Sequence, residues 1–128
     1  MLNKLCDAAR AVRENSYSPY SGCRVGAALL CEDGSVFTGV NVENASFSPT
    51  ICAERSAFSS AISAGKRGFS AIAVCGGEKP FPPCGVCRQV MAEFCKPDFP
   101  ILCISGDTVT RYTLAELLPH AFSGESVK

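Results

Sequence analysis

Apolar and polar residues follow two different periods along this chain, and the switches between them mark out its elements. Leu2, Leu5, Ala9 and Val12 recur at helical spacing, which predicts an amphipathic helix over roughly residues 2–14. The stretch NSYSPYSG interrupts it with proline, glycine and serine. RVGAALLCEDGSVFTGVNVEN reads as two strands around Asp33-Gly34, a dipeptide that favours a tight hairpin turn. After the loop ASFSPT a helix is expected over about 52–64, ended by Gly65. FSAIAVCGG is a continuous apolar run, the pattern of a strand buried on both faces. The loop EKPFPP leads to a third helix at about 85–94, and PILCIS reads as another strand. Asp107 and Thr108 are expected to form a turn before a short strand, and TLAELLP adds a final helical turn or two.

The order is therefore α-β-β-α-β-α-β-β-α. The first hairpin must be antiparallel, while strands separated by helices imply parallel crossovers. The expected fold class is α/β: three layers, α/β/α, with a mixed five-stranded sheet, an antiparallel first hairpin and helices on both faces. A length of 128 residues suits a single domain over 1–128. No repeat, low-complexity segment or internal boundary interrupts it.

Charge narrows the function. Lys+Arg and Asp+Glu both number 12, so there is none of the basic surplus that a nucleic-acid binder needs. Low net charge also permits self-association. MLNKLCDAARAVREN lacks the uninterrupted apolar core of a signal peptide, and no apolar run reaches membrane-spanning length. A cytoplasmic protein is expected, with neither membrane nor nucleic acid as partner.

Nine cysteines, an odd total, argue for reduced thiols over a disulfide framework. Cys31, Cys75 and Cys103 lie in apolar strand-like runs, where a thiol behaves as a small hydrophobe. Cys52, Cys84 and Cys87 instead follow prolines and turn residues at the starts of two helices. Cys84-x-x-Cys87 alone fits half of a structural zinc site or a redox pair. A structural zinc needs four protein ligands, and the redox reading expects the pair near the first strand of a thioredoxin-type unit.

Three features favour a catalytic ion with one open position. Two helix N-termini can converge on one point, where thiolates gain from unpaired N–H groups and the helix dipole. Glu54 follows Cys52 by two residues. Such neighbours do not share a helix face, so they serve one site only at a helix end. Arg55 lies three residues from Cys52, on its side of the helix. Zinc with three thiolates carries net negative charge, and hydrogen bonds from Arg55, with Arg88 a second candidate, would draw charge off the sulfurs.

CAER together with PCGVCRQV resembles the signature of the zinc nucleoside deaminases, a ligand-x-Glu followed by Pro-Cys-x-x-Cys. A first-place cysteine in so short a chain resembles the homotetrameric cytidine deaminases. The likeness runs from YSPYSG through RVGAALL, NVENAS and AIAV to YTLAELLPHAF, nearly the whole chain. The resemblance implies that Cys52, Cys84 and Cys87 hold one zinc per chain, with a water in the fourth position. Glu54 would take a proton from that water, pass it to N3 of the base as C4 is attacked, and help the amine leave as ammonia. Asn41 and Glu43, at alternate positions near a strand end, would hydrogen-bond the ribose, with Val40 and Val42 on the opposite face. Ala53 would also touch substrate, and Phe122 would pack onto the base of a neighbouring subunit's site in a homotetramer. Fold and activity would be those of cytidine deaminases, converting cytidine and 2′-deoxycytidine to uridine and 2′-deoxyuridine in pyrimidine salvage.

From the residues alone, Asn41 and Glu43 are polar residues at a strand end, Phe122 is a hydrophobic clasp, and Tyr20 shapes a pocket or anchors its loop. Two departures from the family pattern stand out. Cys23 in YSGCRVG replaces a phenylalanine that stacks on the pyrimidine, and Phe47 stands where tyrosine is common. Cys23 keeps open a deaminase for another aminopyrimidine nucleoside such as blasticidin S. A non-catalytic zinc module on the same fold is a further reading, against which Glu54 counts. A nucleic-acid editing enzyme is a third, disfavoured by charge and by the first-place cysteine. His120, the one histidine, is expected at the surface.

Overall fold

The computed structural model describes residues 2–77 and 82–127; the loop expected over residues 78–83 therefore lies partly outside the described residues. In chain order the elements are α1 (Leu2–Val12), β1 (Gly26–Cys31), β2 (Val36–Val40), α2 (Ala53–Ser63), β3 (Phe69–Cys75), α3 (Gly85–Phe94), β4 (Pro100–Ser105), β5 (Thr108–Thr113) and α4 (Leu114–Leu117). Short 3₁₀ turns cover Arg13–Asn15 and Gly124–Ser126, so the first helix is α-helical only to Val12.

One five-stranded sheet runs β2-β1-β3-β4-β5. β1 pairs with β2 in the expected antiparallel hairpin, and β3 with β4 in parallel through α3. The crossover through α2 is also parallel, as expected of strands separated by a helix. It carries β3 past β2 to the far edge of β1, where the two pair antiparallel. A crossover helix makes β2 and β3 parallel without making them neighbours. One correction concerns the last hairpin. Its turn is Gly106-Asp107, with Gly106 at φ 57°, and Thr108 is already in β5 opposite Ser105. Glycine first in a two-residue loop supplies the positive φ that such a hairpin requires.

Period-two alternation builds two cores on the opposite faces of the sheet. Ala27, Leu29, Ile72, Val74, Ile101 and Cys103 face α2 and α3. Ala28, Leu30, Ala71, Ala73, Cys75, Leu102 and Ile104 face Leu5, Cys6 and Ala9 of α1. Every residue of β1 is buried, as the unalternating apolar run requires. Cys31, Cys75 and Cys103 are core residues on these strands. The result is three layers, α1 on one face and α2 and α3 on the other.

One glycine sets the distance between sheet and α2. A Cβ on Gly39 would lie 2.4 Å from the backbone nitrogen of Ala57 and 2.6 Å from the carbonyl oxygen of Ala53. β2 therefore presses directly on the first turn of α2, the turn that carries Glu54.

Candidate metal centre

Cys52 precedes α2 and Cys84 precedes α3, each as the extended N-cap residue of its helix. The chain before Cys52 is held by paired backbone bonds between Val42 and Ile51, both 3.0 Å. The hydroxyl of Ser56 donates to the carbonyl of Val40 at 2.9 Å, tying α2 to the end of β2. On the other side, Pro83 is fully buried and the carbonyl of Cys84 accepts from the N–H of Arg88 at 2.9 Å, closing the first turn of α3. That turn brings Cys87 back to Cys84.

The three sulfurs meet. Cys84 Sγ is 3.4 Å from Cys87 Sγ and 3.7 Å from Cys52 Sγ, and all three lie within 4.8 Å of one another. These separations far exceed a disulfide bond, roughly 2 Å, so the thiols are free. Sulfurs bound at roughly 2.3 Å to one tetrahedral zinc would stand about 3.8 Å apart. The donor set therefore fits zinc in both chemistry and spacing. Cys23 is not part of the cluster.

Arg55 donates from Nη2 to Cys52 Sγ at 3.3 Å, while its buried Nε has no partner among the described residues. The bond to Cys52 raises the guanidinium pKa further. The pKa of Cys52 is lowered, chiefly by a hydrogen bond from Cys87 and then by Arg55 and Cys84. Cys87 is raised, because it holds its proton against Cys52 and is buried beside Glu54. Arg88 does not share this role. Its Nε donates to the carbonyl of Pro83 and its Nη1 to that of Leu117, both at 2.6 Å. These two carbonyl bonds hold the Arg88 guanidinium between Pro83 and Leu117.

Glu54 is buried, only 5% exposed, in the first turn of α2. Burial pushes its carboxyl up to about 7, with the negative charge of Cys52 adding to the rise. A carboxyl poised there holds or releases a proton near neutrality, as a general acid/base must. Ala53 is fully buried in the core, backbone included, so the isolated chain presents none of it to a ligand.

Asn41 and Glu43 sit next to this centre, either side of the Val42 that pairs with Ile51. Both side chains hold the segment between α1 and β1. Asn41 Oδ1 accepts from Ser16 Oγ at 2.5 Å and from the N–H of Val25 at 2.9 Å, and Nδ2 donates to the carbonyl of Cys23 at 2.7 Å. Glu43 accepts from the backbone N–H groups of Tyr20 and Ser21 and from the hydroxyl of Ser21. Ser16, Ser21 and Ser56 were invisible as site residues in the sequence. Their partners lie 25, 22 and 16 residues away, and a serine in a turn-rich stretch gives no sign of such pairing. Phe122 is exposed and joins neither core, but its carbonyl accepts from Gln89 Nε2 at 2.8 Å, which fixes the C-terminal segment to α3. Tyr20, Cys23, Phe47 and His120 are all exposed.

An α/β/α domain with three thiols and a buried carboxylate at two converging helix N-termini defines the class of a metal-dependent hydrolytic centre. Residues 2–103 match the family model described as the cytidine and deoxycytidylate deaminase zinc-binding region, and the chain belongs to that family. It is 48% identical over 129 aligned positions to a cytidine deaminase of Sporosarcina psychrophila, covering 98% of this chain and 94% of that one. It is 50% identical over 118 positions to a cytidine deaminase of Halalkalibacterium halodurans, covering 90% of this chain and 89% of that one. The crystal structure of a cytidine deaminase from Burkholderia pseudomallei superposes with a TM-score of 0.91 at 48% identity, over 95% of this chain and 99% of that one.

Proposed function

We propose that this chain, as one catalytic domain over 1–128, hydrolyses the 4-amino group of cytidine and 2′-deoxycytidine, yielding uridine or 2′-deoxyuridine and ammonia. The observation that carries the reading is the buried carboxyl of Glu54 beside the Cys52, Cys84 and Cys87 sulfurs. A purely structural metal site has no use for a buried acid. Cys52, Cys84 and Cys87 would hold the zinc. When bound, that ion supplies a Lewis acid that brings the pKa of a water toward neutrality. Glu54 takes the proton of the attacking water, delivers it to N3 of the base, and carries the second proton to the departing amine. Arg55 draws charge from the Cys52 sulfur through its 3.3 Å hydrogen bond.

Asn41 and Glu43 bind the sugar. After the bonds already described, Asn41 Nδ2 keeps one N–H and Glu43 Oε2 keeps one lone pair. A hydroxyl needs one donor and one acceptor, and this pair offers both. Ala53 is the further substrate contact that the resemblance implies, although it is buried in the isolated chain. Phe122, exposed in the isolated chain, covers the base in a neighbouring subunit of a homotetramer. Among the described residues no helix is long and apolar enough to cross a membrane, in keeping with a cytoplasmic salvage enzyme.

The reading is tested by ammonia release from cytidine and deoxycytidine with the zinc-replete protein, alongside its mass in solution. Stoichiometric uridine from an assembly of four chains is expected. With zinc confirmed bound, no release would overturn it. The thiol of Cys23, exposed where relatives of this pattern carry an aromatic ring, would then direct the search to a differently substituted aminopyrimidine such as blasticidin S.

A further inference from the structure

Three donors reach Glu43, all from one turn of the segment before β1. The N–H groups of Tyr20 and Ser21 donate to Oε1 at 3.0 and 3.1 Å, and the hydroxyl of Ser21 donates to Oε2. The same Ser21 oxygen accepts from the N–H of Cys23 at 3.0 Å. A carboxylate oxygen has two lone pairs, so Oε1 is filled and the vacant acceptor position lies on Oε2, beside Ser21. The two N–H bonds on Oε1 form a pivot. What fixes the second oxygen about that pivot is the Ser21 hydroxyl. An unbroken run thus joins the backbone of Cys23, through Ser21 Oγ, to the free acceptor of Glu43.

We propose that Ser21 is a positioning residue for sugar recognition: its hydroxyl aims the vacant lone pair of Glu43 at a ring hydroxyl of the nucleoside and ties that aim to the backbone at Cys23. The proposal rests on the reading of Glu43 as a sugar-binding group. Losing the hydroxyl removes its bond from the Cys23 N–H, leaves the pivot on Oε1 intact and lets Oε2 swing, so the sugar contact bears the main cost. The rest of the segment stays anchored by Asn41, through Ser16, Val25 and Cys23.

The test compares Ser21→Ala and Ser21→Thr with the parent enzyme on cytidine and on 2′,3′-dideoxycytidine, which lacks both ring hydroxyls. Affinity is read as KM, or as a competitive inhibition constant where turnover is slow. Ser21→Ala is expected to raise KM for cytidine about five- to tenfold, the scale of one ordinary intramolecular hydrogen bond, with kcat little changed. Its KM for the dideoxynucleoside should equal the parent's, and Ser21→Thr should restore cytidine binding. An equal rise on both substrates would overturn the proposal, because the hydroxyl would then merely hold the loop. No change on either would overturn it too. If the parent itself binds both substrates equally, the sugar-binding role of Glu43 fails. A parent that discriminates, beside a Ser21→Ala enzyme that discriminates equally, refutes the role of Ser21 alone.

Discussion

α2 and α3 start alike: Cys52 at φ −78°, ψ 155° and Cys84 at φ −67°, ψ 167°, with no side chain capping either first turn. Two residues on they part. Glu54 is 5% exposed and pressed between sheet and sulfurs, whereas Val86 is 58% exposed. Each first turn carries an arginine, three residues after Cys52 and four after Cys84. Arg55 reaches a sulfur, and Arg88 reaches the carbonyls of Pro83 and Leu117. In the proposed function one helix start brings a ligand and the proton carrier, while the other brings two ligands and fixes its own place in the fold. The difference follows from packing. α2 lies against β2, where Gly39 permits backbone contact, and its first turn is consequently buried. The turn of α3 stands nearer the surface and must be locked by its arginine.

The sharpest way to break this asymmetry is Glu54→Gln. It keeps the volume and removes the proton carrier, so kcat should fall by about 10²- to 10⁴-fold while bound zinc, measured by elemental analysis, stays at one per chain. Wild-type rates would remove Glu54 from the chemistry. The two arginines give the next contrast. Arg55→Gln should weaken zinc retention or activity about ten- to hundredfold, as losses around metal ligands do, with little change in unfolding of the zinc-loaded protein. Arg88→Gln should do the opposite: two charge-assisted bonds to carbonyls are lost, and stability should drop by about 1–3 kcal/mol in denaturant unfolding with kcat unchanged. Equal effects from both substitutions would mean that the two helix starts are equivalent after all.

How far each part of this could be read in advance depended on range. The continuous apolar runs in GAALLC, FSAIAVC and PILCIS marked the buried strands, and glycine, proline and cysteine at the helix starts marked the converging termini, because these are local signals. The pairing of β1 with β3 was not local. Period and propensity say that a strand exists, but its neighbour is chosen by how a crossover helix packs. The arginines make the same point at the site: i+3 and i+4 spacing put both near the cysteines, and only the carbonyl of Leu117, 29 residues away, shows why Arg88 turns aside. The alternate spacing of Asn41 and Glu43 was legible, although β2 ends at Val40, just before them; their grip on residues 16–25 was not, since nothing in a polar loop announces its partner.

The smallest expected effect sharpens the comparison from the substrate side. If the α2 end of the site holds the reacting atom, the segment held by Asn41 and Glu43 should govern affinity and leave the chemical step alone. Cys23 lies on that segment, exposed, with its N–H and carbonyl both fixed by hydrogen bonds, so a larger side chain there can be placed without moving the backbone. Cys23→Phe puts an aromatic face where a thiol stood. A stacked ring contributes on the order of 1 kcal/mol beyond its buried area, so KM for cytidine should fall several-fold at constant kcat. A change in kcat without KM would place residue 23 against the reacting groups, and an unchanged KM would place it away from the base. The contrast with Glu54→Gln, which should alter kcat and spare binding, is the clearest separation of the two halves of the site.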